Sequence, residues 1–281
     1  MALLTVASVK GSPGVTTTAL LIGALWPRPI TAVEADPSGG DIALRMPDAS
    51  GQPLDPGRGL VSLVAAGRRS LYGQLVQDHA QQIVGGLDVI AGVGVPEQAA
   101  AIQQWTELAE LLARLPGRDV VADLGRIGAG SPQNAFVTTA AALCVITGTV
   151  PSQIVHLRER LRRLREAHRT LPPIHVLVNA PTKRSRAVRE VREVLEQSDV
   201  EVAGVHHLAH DRTGADFFLG QVTGKPQRTQ LVRSAHPIVA ELADATEMGY
   251  VPAESEYVDA PDNTGENADE VGGDESHEGV S

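Results

Sequence analysis

The sequence predicts a doubly wound α/β domain on a mostly parallel sheet. Short apolar, partly β-branched runs recur along the chain, and helix-length segments alternate with them. The opening stretch already spells strand, glycine-rich loop, helix and strand, a βαβ unit that implies parallel pairing through a right-handed crossover.

Leu3 to Val9 (LLTVASV) reads as a buried strand. The loop KGSPGVTTT follows, then an apolar helix from Ala19 to Trp26, closed by Pro27 and Pro29. Ile30 to Ala35 is the second buried strand. Gly59 to Arg68 and Leu71 to Gln82 read as helices, Leu87 to Gly92 as a strand, and Pro96 to Leu115 as one long helix with proline in its first turn. Asp119 to Leu124 and Leu143 to Thr147 are strands. Ser152 to Arg169 is a helix with the apolar stripe Ile154, Leu157, Leu161, Leu164 and His168. Ile174 to Asn179 is a strand, Ser185 to Gln197 a helix and Val202 to His206 the seventh strand. Phe217 and Phe218 sit in a short helix, and Leu231 to Met248 closes the domain.

Charge divides the 281 residues in two. Residues 1–248 carry 24 acidic and 24 basic side chains, whereas residues 249–281 carry ten acidic ones and no Lys or Arg. The expected organisation is one domain over 1–248 and an acidic tail over 249–281, too poor in apolar residues to order itself. The single cysteine, Cys144, excludes an intrachain disulfide or a cysteine-built metal cluster within one chain, and inside an apolar run it reads as an inert core residue. No apolar run reaches the ~20 residues of a membrane span, and the N-terminus lacks a basic leader, so a cytoplasmic location without membrane insertion is expected. Only three lysines stand against 21 arginines, which makes Lys10 conspicuous.

A phosphate-binding loop needs backbone N–H groups at a helix N-terminus, a lysine, and a Ser/Thr hydroxyl for Mg²⁺. Against the pattern G-x-x-x-x-G-K-[ST], the stretch Ser8 to Thr17 has Gly14 and Thr16 in place, but Val15 at the lysine position and Ser8 at the first glycine. Lys10-Gly11-x-x-Gly14-x-Thr16-Thr17 resembles instead the deviant Walker A loop, K-G-G-x-G-K-[ST]-T, of the ParA/MinD family of P-loop ATPases. The resemblance continues in order. Val33-Glu34-Ala35-Asp36-Pro37 is similar to the family's V-D-x-D-P segment, and Val120 to Asp123 to its Walker B strand. Val176 to Asn179 is similar to the strand whose terminal Asn reads adenine. Gly204 to Asp211 is similar to its G-x-(x)-x-P-x-D turn, with Ala209 where proline is usual.

That resemblance implies a nucleotide site for ATP and Mg²⁺. Lys10 would reach the phosphates of a partner subunit in a homodimer. Gly11, Ser12, Pro13 and Gly14 would wrap the phosphates, with Val15 and Thr17 beside them. Thr16 would ligate Mg²⁺ and Asp123 would hold it through water. Asp36 would orient the attacking water, Glu34 is the acidic position two before it, and Asn179 would read the base. Some of these residues also have plainer readings. Lys10 would serve as an ordinary loop lysine, Asp36 and Asp41 as caps, Asp123 as a turn residue, and Asn179-Ala180-Pro181 as a turn signal.

Val15 removes the cis lysine, and losing one such transition-state charge costs on the order of 3 kcal/mol. Pro13 also deletes an amide from the cradle. Loops of this character resemble those of the TadZ/CpaE branch, which localises pilus-assembly machinery. The sequence reading is thus an ATP-binding spatial switch or scaffold with little or no hydrolysis, positioning a cargo through an adaptor or cargo protein. The alternative is an interaction scaffold that binds no nucleotide.

Two further patterns bear on partners. Between Pro151 and Arg192, eleven basic residues face three Glu, and Arg158, Arg162, Arg165 and Arg169 share one helix face. That face is either a solvated helix back or a surface for non-specific DNA or an acidic partner. His206, His207 and His210 cluster near the end, but no carboxylate or Cys at ligand spacing joins them in sequence, so no metal site is expected there.

Overall fold

The computed structural model describes residues 1–11, 14–181 and 186–247. The expected tail at 249–281 and two members of the glycine-rich loop, Ser12 and Pro13, lie outside the described residues.

An eight-stranded sheet forms the centre. Strand β1 (Leu3–Ser8) is apolar on both alternations, with Leu3 and Ala7 facing one layer and Leu4 and Val6 the other. It lies between β5 (Asp119–Arg126) and β6 (Ala142–Thr147), parallel to both. Outside β5 come β2 (Ile30–Glu34), β4 (Asp88–Ile90) and β3 (Gln81–Gln82); outside β6 come β7 (Ile174–Ala180) and β8 (Gly204–Ala209). Among these strands the β3–β4 pair alone is antiparallel.

Helices cover both faces. On one lie α1 (Val15–Leu25), the short α2 (Ile42–Arg45), α10 (Arg212–Phe218) and α11 (Gln230–Glu247). The other carries α3 (Leu60–Ala66), α4 (Gly73–His79), α5 (Pro96–Ala101), α6 (Trp105–Ala113), α7 (Asn134–Thr139), α8 (Pro151–Ala167) and α9 (Arg186–Glu196). On that second face Trp105 and Phe136 meet edge to face at 6.2 Å between ring centroids. Each such buried large side chain contributes about 1.5–3 kcal/mol. No helix among the described residues is long and apolar enough to cross a membrane.

At the amino end of β5, the fully buried Asp119 carboxylate gathers three elements. It accepts the Ala2 N–H at 2.8 Å, the Trp26 indole N–H at 2.8 Å and the Arg28 guanidinium at 2.8 Å. This ties β1 and the turn after α1 to the sheet.

The structure differs from the sequence expectation in several places, and α1 begins at Val15, four residues before the expected Ala19. The helix expected over 96–115 breaks at Ile102, whose extended backbone lets both Ile102 and Trp105 turn into the core. Strand β3 replaces the end of an expected helix, because the buried Gln81 side chain accepts the Asp55 N–H and donates to the Asp55 and Arg58 carbonyls. Helix α7 had no apolar period to reveal it; Gln133, fully buried before it, donates to the Leu124 and Arg126 carbonyls and seats it under β5. Strand β8 runs further than Val202–His206, through both histidines to Ala209. Helix α8 ends at Ala167, so Arg169 falls outside it, ahead of Leu171-Pro172-Pro173, which cannot continue a helix.

Candidate functional site

The carboxyl ends of the central parallel strands open on one cleft of about 1170 Å³, the place where open α/β sheets hold ligands. Ser8 at the end of β1, Asp36 after β2, Arg126 at the end of β5 and Asn179 near the end of β7 all line it.

The glycine-rich loop reaches the cleft with Gly11 at φ 78° and Gly14 at φ 94°, conformations that favour glycine. Gly14 is the N-cap of α1, and its carbonyl accepts both the N–H and the hydroxyl of Thr18, at 2.9 and 2.8 Å. Val15, Thr16 and Thr17, in the first turn of α1, also line the cleft, and first-turn amides have no intrahelical acceptor. Val15 is buried and packs in the apolar layer beneath the sheet. It therefore offers this site its backbone and no charge.

Helix α8 braces the start of the loop. The Gln153 side chain lies between the bare Cα atoms of Gly11 and Gly148; a Cβ at Gly148 would stand 2.3 Å from Gln153 Oε1. Lys10 turns outward, with Nζ 3.1 Å from His156 Nε2 on the same helix. It does not line the cleft of its own chain. Neither Gln153 nor His156 carries a motif that sequence reading finds, because each acts from a helix 140 residues downstream.

The acidic residues split into distinct roles. Glu34, almost fully buried, accepts N–H groups from Asp41, Ile42 and Gly92 at 2.7, 3.1 and 2.8 Å, so it fixes the loops around the cleft. Burial, the largest influence, raises its pKa against those three hydrogen bonds. Asp41 pairs with Arg45 at 2.6 Å and does not cap α2 through its side chain. Asp36 accepts the Ser38 N–H at 2.8 Å. Asp123 is buried beneath the loop, and its Oδ1 accepts the Gly125 N–H at 2.9 Å. Its Oδ2 is buried without a hydrogen-bond partner among the described residues. Desolvation pushes the Asp123 pKa up to about 7; the Thr16 hydroxyl and Gly125 N–H oppose this, and Glu34 and Asp36 add to it.

A hydroxyl on α1 that meets the Asp123 carboxylate, an unpartnered oxygen on that carboxylate and a left-handed glycine at a helix N-terminus suit a hydrated Mg²⁺ next to an anion. Farther along the cleft, Asn179 Oδ1 lies 3.2 Å from His210 Nδ1, and Asn179 Nδ2 is 4.0 Å from where a Gly14 Cβ would be. The structure thus brings Gly11, Gly14, Val15, Thr16, Thr17, Asp36 and Asn179 to one cleft, with Asp123 beneath it. Ser12 and Pro13 lie outside the described residues.

The arginine face is engaged in part. Arg162 pairs with Glu159 and Glu166, and Arg165 donates to the Glu201 carbonyl, while Arg158 has no ion-pair partner among the described residues. Cys144 is fully buried and its thiol is pushed up to about 12, as for an inert core residue. Three arginines on the cleft escaped sequence reading: Arg45, paired with Asp41, and Arg126 and Arg212, which have no ion-pair partner among the described residues.

No protein-family profile and no curated protein matches the chain. Solved structures do. A ParA family ATPase from Chlorobium tepidum TLS superposes with a TM-score of 0.67 at 17% identity, over 86% of this chain and 98% of that one. The septum site-determining protein MinD from Pyrococcus horikoshii OT3, complexed with Mg-ADP, gives 0.65 at 15% identity over 89% and 98%. A Cyanothece McdA variant in complex with ATP gives 0.61 at 13% identity over 86% and 95%. With the strand order and the loop after β1, these likenesses identify the fold of this chain as that of the ParA/MinD-type P-loop ATPases.

Proposed function

We propose that the chain is an ATP- and Mg²⁺-binding spatial switch with a degenerate phosphate loop, slow or inert in hydrolysis, that positions a cellular cargo. One observation carries the reading. Thr16, in the first turn of α1 after the left-handed Gly14, interacts through its hydroxyl with the Asp123 carboxylate, whose Oδ2 is buried without a hydrogen-bond partner among the described residues. Thr16 and, through water, Asp123 would hold Mg²⁺; Gly11, Ser12, Pro13, Gly14, Val15 and Thr17 would surround the phosphates; Asn179 would meet the base. Bound Mg²⁺ would neutralise phosphate charge, and Asp36 would orient a water.

Charge is what the loop lacks. Val15 supplies none where the usual motif has lysine, and Lys10 sits outward on His156. Lys10 is therefore assigned to the phosphates of a second copy, in a homodimer formed on nucleotide. The weakened loop matches the TadZ/CpaE character, which favours pilus or secretion machinery as cargo, reached through an adaptor protein; DNA is the other cargo class.

Titration calorimetry with ATP and Mg²⁺ tests the reading. The expected result is saturable binding that Thr16→Ala weakens, with turnover far below the ~10 s⁻¹ of a median enzyme. No heat at millimolar nucleotide would replace this reading by that of a scaffold keeping only the fold.

A further inference from the structure

Away from the cleft, two histidines and a glutamate from three elements meet at the β7–β8 edge of the sheet. His175 lies on β7 directly across from Gly204 on β8, two residues before His206. The His206 ring folds back over Gly204; a Cβ at Gly204 would stand 2.3 Å from His206 Nε2. The bare glycine thereby lets His206 Nε2 come within 3.2 Å of His175 Nδ1. Glu241 on α11 closes the group, with Oε1 3.8 Å from each of those two nitrogens.

We propose that His175, His206 and Glu241 form a binding site for a divalent transition-metal ion of the zinc type, clipping α11 to the edge of the sheet.

The 3.2 Å spacing of the two nitrogens, within hydrogen-bond reach, also fits a shared ion. Two nitrogens bound to Zn²⁺ at about 2.0–2.1 Å and the tetrahedral angle stand about 3.3 Å apart, close to the separation seen here. Glu241 Oε1, at 3.8 Å, is beyond hydrogen-bond distance of either ring. Its side chain is half exposed, 52%, so a small torsion brings it to an ion between the rings. Two imidazoles and a carboxylate are the donor set of a three-ligand zinc site that keeps a fourth position for water. Nitrogen donors disfavour Mg²⁺ and Ca²⁺. His175 is 5% exposed and His206 15%, so both nitrogens are shielded from bulk water, and the half-exposed Glu241 marks the side from which an ion arrives. Arg192, which donates to the Val205 carbonyl at 3.3 Å, is the nearby cation an ion must tolerate; the Glu241 charge offsets it. The site is independent of the nucleotide reading.

The test is Zn²⁺ titrated into the chelator-treated full chain, with Co²⁺ as a spectroscopic substitute. One Zn²⁺ per chain at micromolar metal is expected, with a higher melting temperature and a four-coordinate Co²⁺ visible spectrum. His206→Gln should weaken binding by more than about tenfold, since loss of even a partner behind a ligand costs that much, and Glu241→Gln should do so without touching the core. Gly204→Ala should displace the His206 ring and weaken it too, while His210→Gln should not. Absence of saturable Zn²⁺ binding overturns the proposal. So does binding that His206→Gln and Glu241→Gln leave unchanged, which would place the ion on other side chains.

Discussion

The Asp36 carboxylate lies against the bare Cα of Gly125: a Cβ at Gly125 would stand 1.9 Å from Asp36 Oδ2. Gly125 also has φ 58°, a left-handed conformation that costs a side-chain-bearing residue about 1–2 kcal/mol. The position of Asp36 thus depends on what residue 125 lacks.

Gly125→Ala should lower stability by about 1 kcal/mol or more through the backbone alone. It should lose more when Asp36 is present than in an Asp36→Ala background, where the obstacle is gone. Chemical denaturation of the four proteins measures the difference. Equal costs in both backgrounds would mean that the carboxylate moves aside freely.

Asp123 should make stability depend on pH. Its folded pKa, raised to about 7, exceeds its unfolded value, so the folded state binds the extra proton between the two. Its contribution is fully present below the unfolded value, near 3.8, and is lost as pH rises through about 7. Glu34 is raised as well and acts in the same sense. Replacing Asp123 by Asn should flatten the difference in unfolding free energy over that window in the nucleotide-free protein. A difference between wild type and Asp123→Asn that does not vary with pH would refute the shift.

Asp119→Ala should be among the most damaging substitutions. It leaves Arg28 beside a buried vacancy and orphans the Ala2 and Trp26 N–H groups. Breaking one side of such a buried pair costs about 3–5 kcal/mol. Thermal melts read this directly, and a loss under about 1 kcal/mol would mean water replaces the carboxylate without penalty.

Lys10 and His156 give a prediction about assembly. Lys10→Ala should abolish dimerisation driven by a non-hydrolysable ATP analogue. His156→Ala should preserve or strengthen it, since the ammonium then has no resting contact at 3.1 Å. Sedimentation of the three proteins with and without nucleotide decides; identical profiles throughout would retire the role of Lys10 in trans.

The arginine face should not act as a uniform stripe. Arg162 is already held by Glu159 and Glu166, whereas Arg158 has no ion-pair partner among the described residues. Duplex DNA binding at low salt should fall more for Arg158→Glu than for Arg162→Glu, and should rise when residues 249–281 are removed. Binding indifferent to all three changes marks the face as a solvated helix back.

What the sequence made legible follows from where the information sits. Apolar runs such as LLTVAS and DVVADL are buried on both faces, so their composition alone announces inner strands. The loop from Lys10 to Thr17 is contiguous, and its motif points to the cleft that the structure forms there. Elements held by buried polar side chains stayed hidden: β3 depends on Gln81 and α7 on Gln133, and neither gives a hydrophobic period. Contacts between distant segments stayed hidden too. His206 and His207 stand together in the sequence, but His175, 3.2 Å from His206, lies on another strand and Glu241 on a helix. Arg126 lies beyond the strand expected over Asp119 to Leu124, and only the longer β5 of the structure carries it to the cleft.

The strand order also sets a timetable. β1 and β2 are consecutive in the chain yet not neighbours, because β5 inserts between them, and the other side of β1 waits for β6. During synthesis the glycine-rich loop leaves the ribosome ahead of both strands that flank β1, which gains them only after more than a hundred further residues have followed. Such distant pairings are slow to close, and until then the apolar faces of β1 and α1 stand open to other chains. β1 is thus made before both of its neighbours and is covered on both edges only once β6 has been translated.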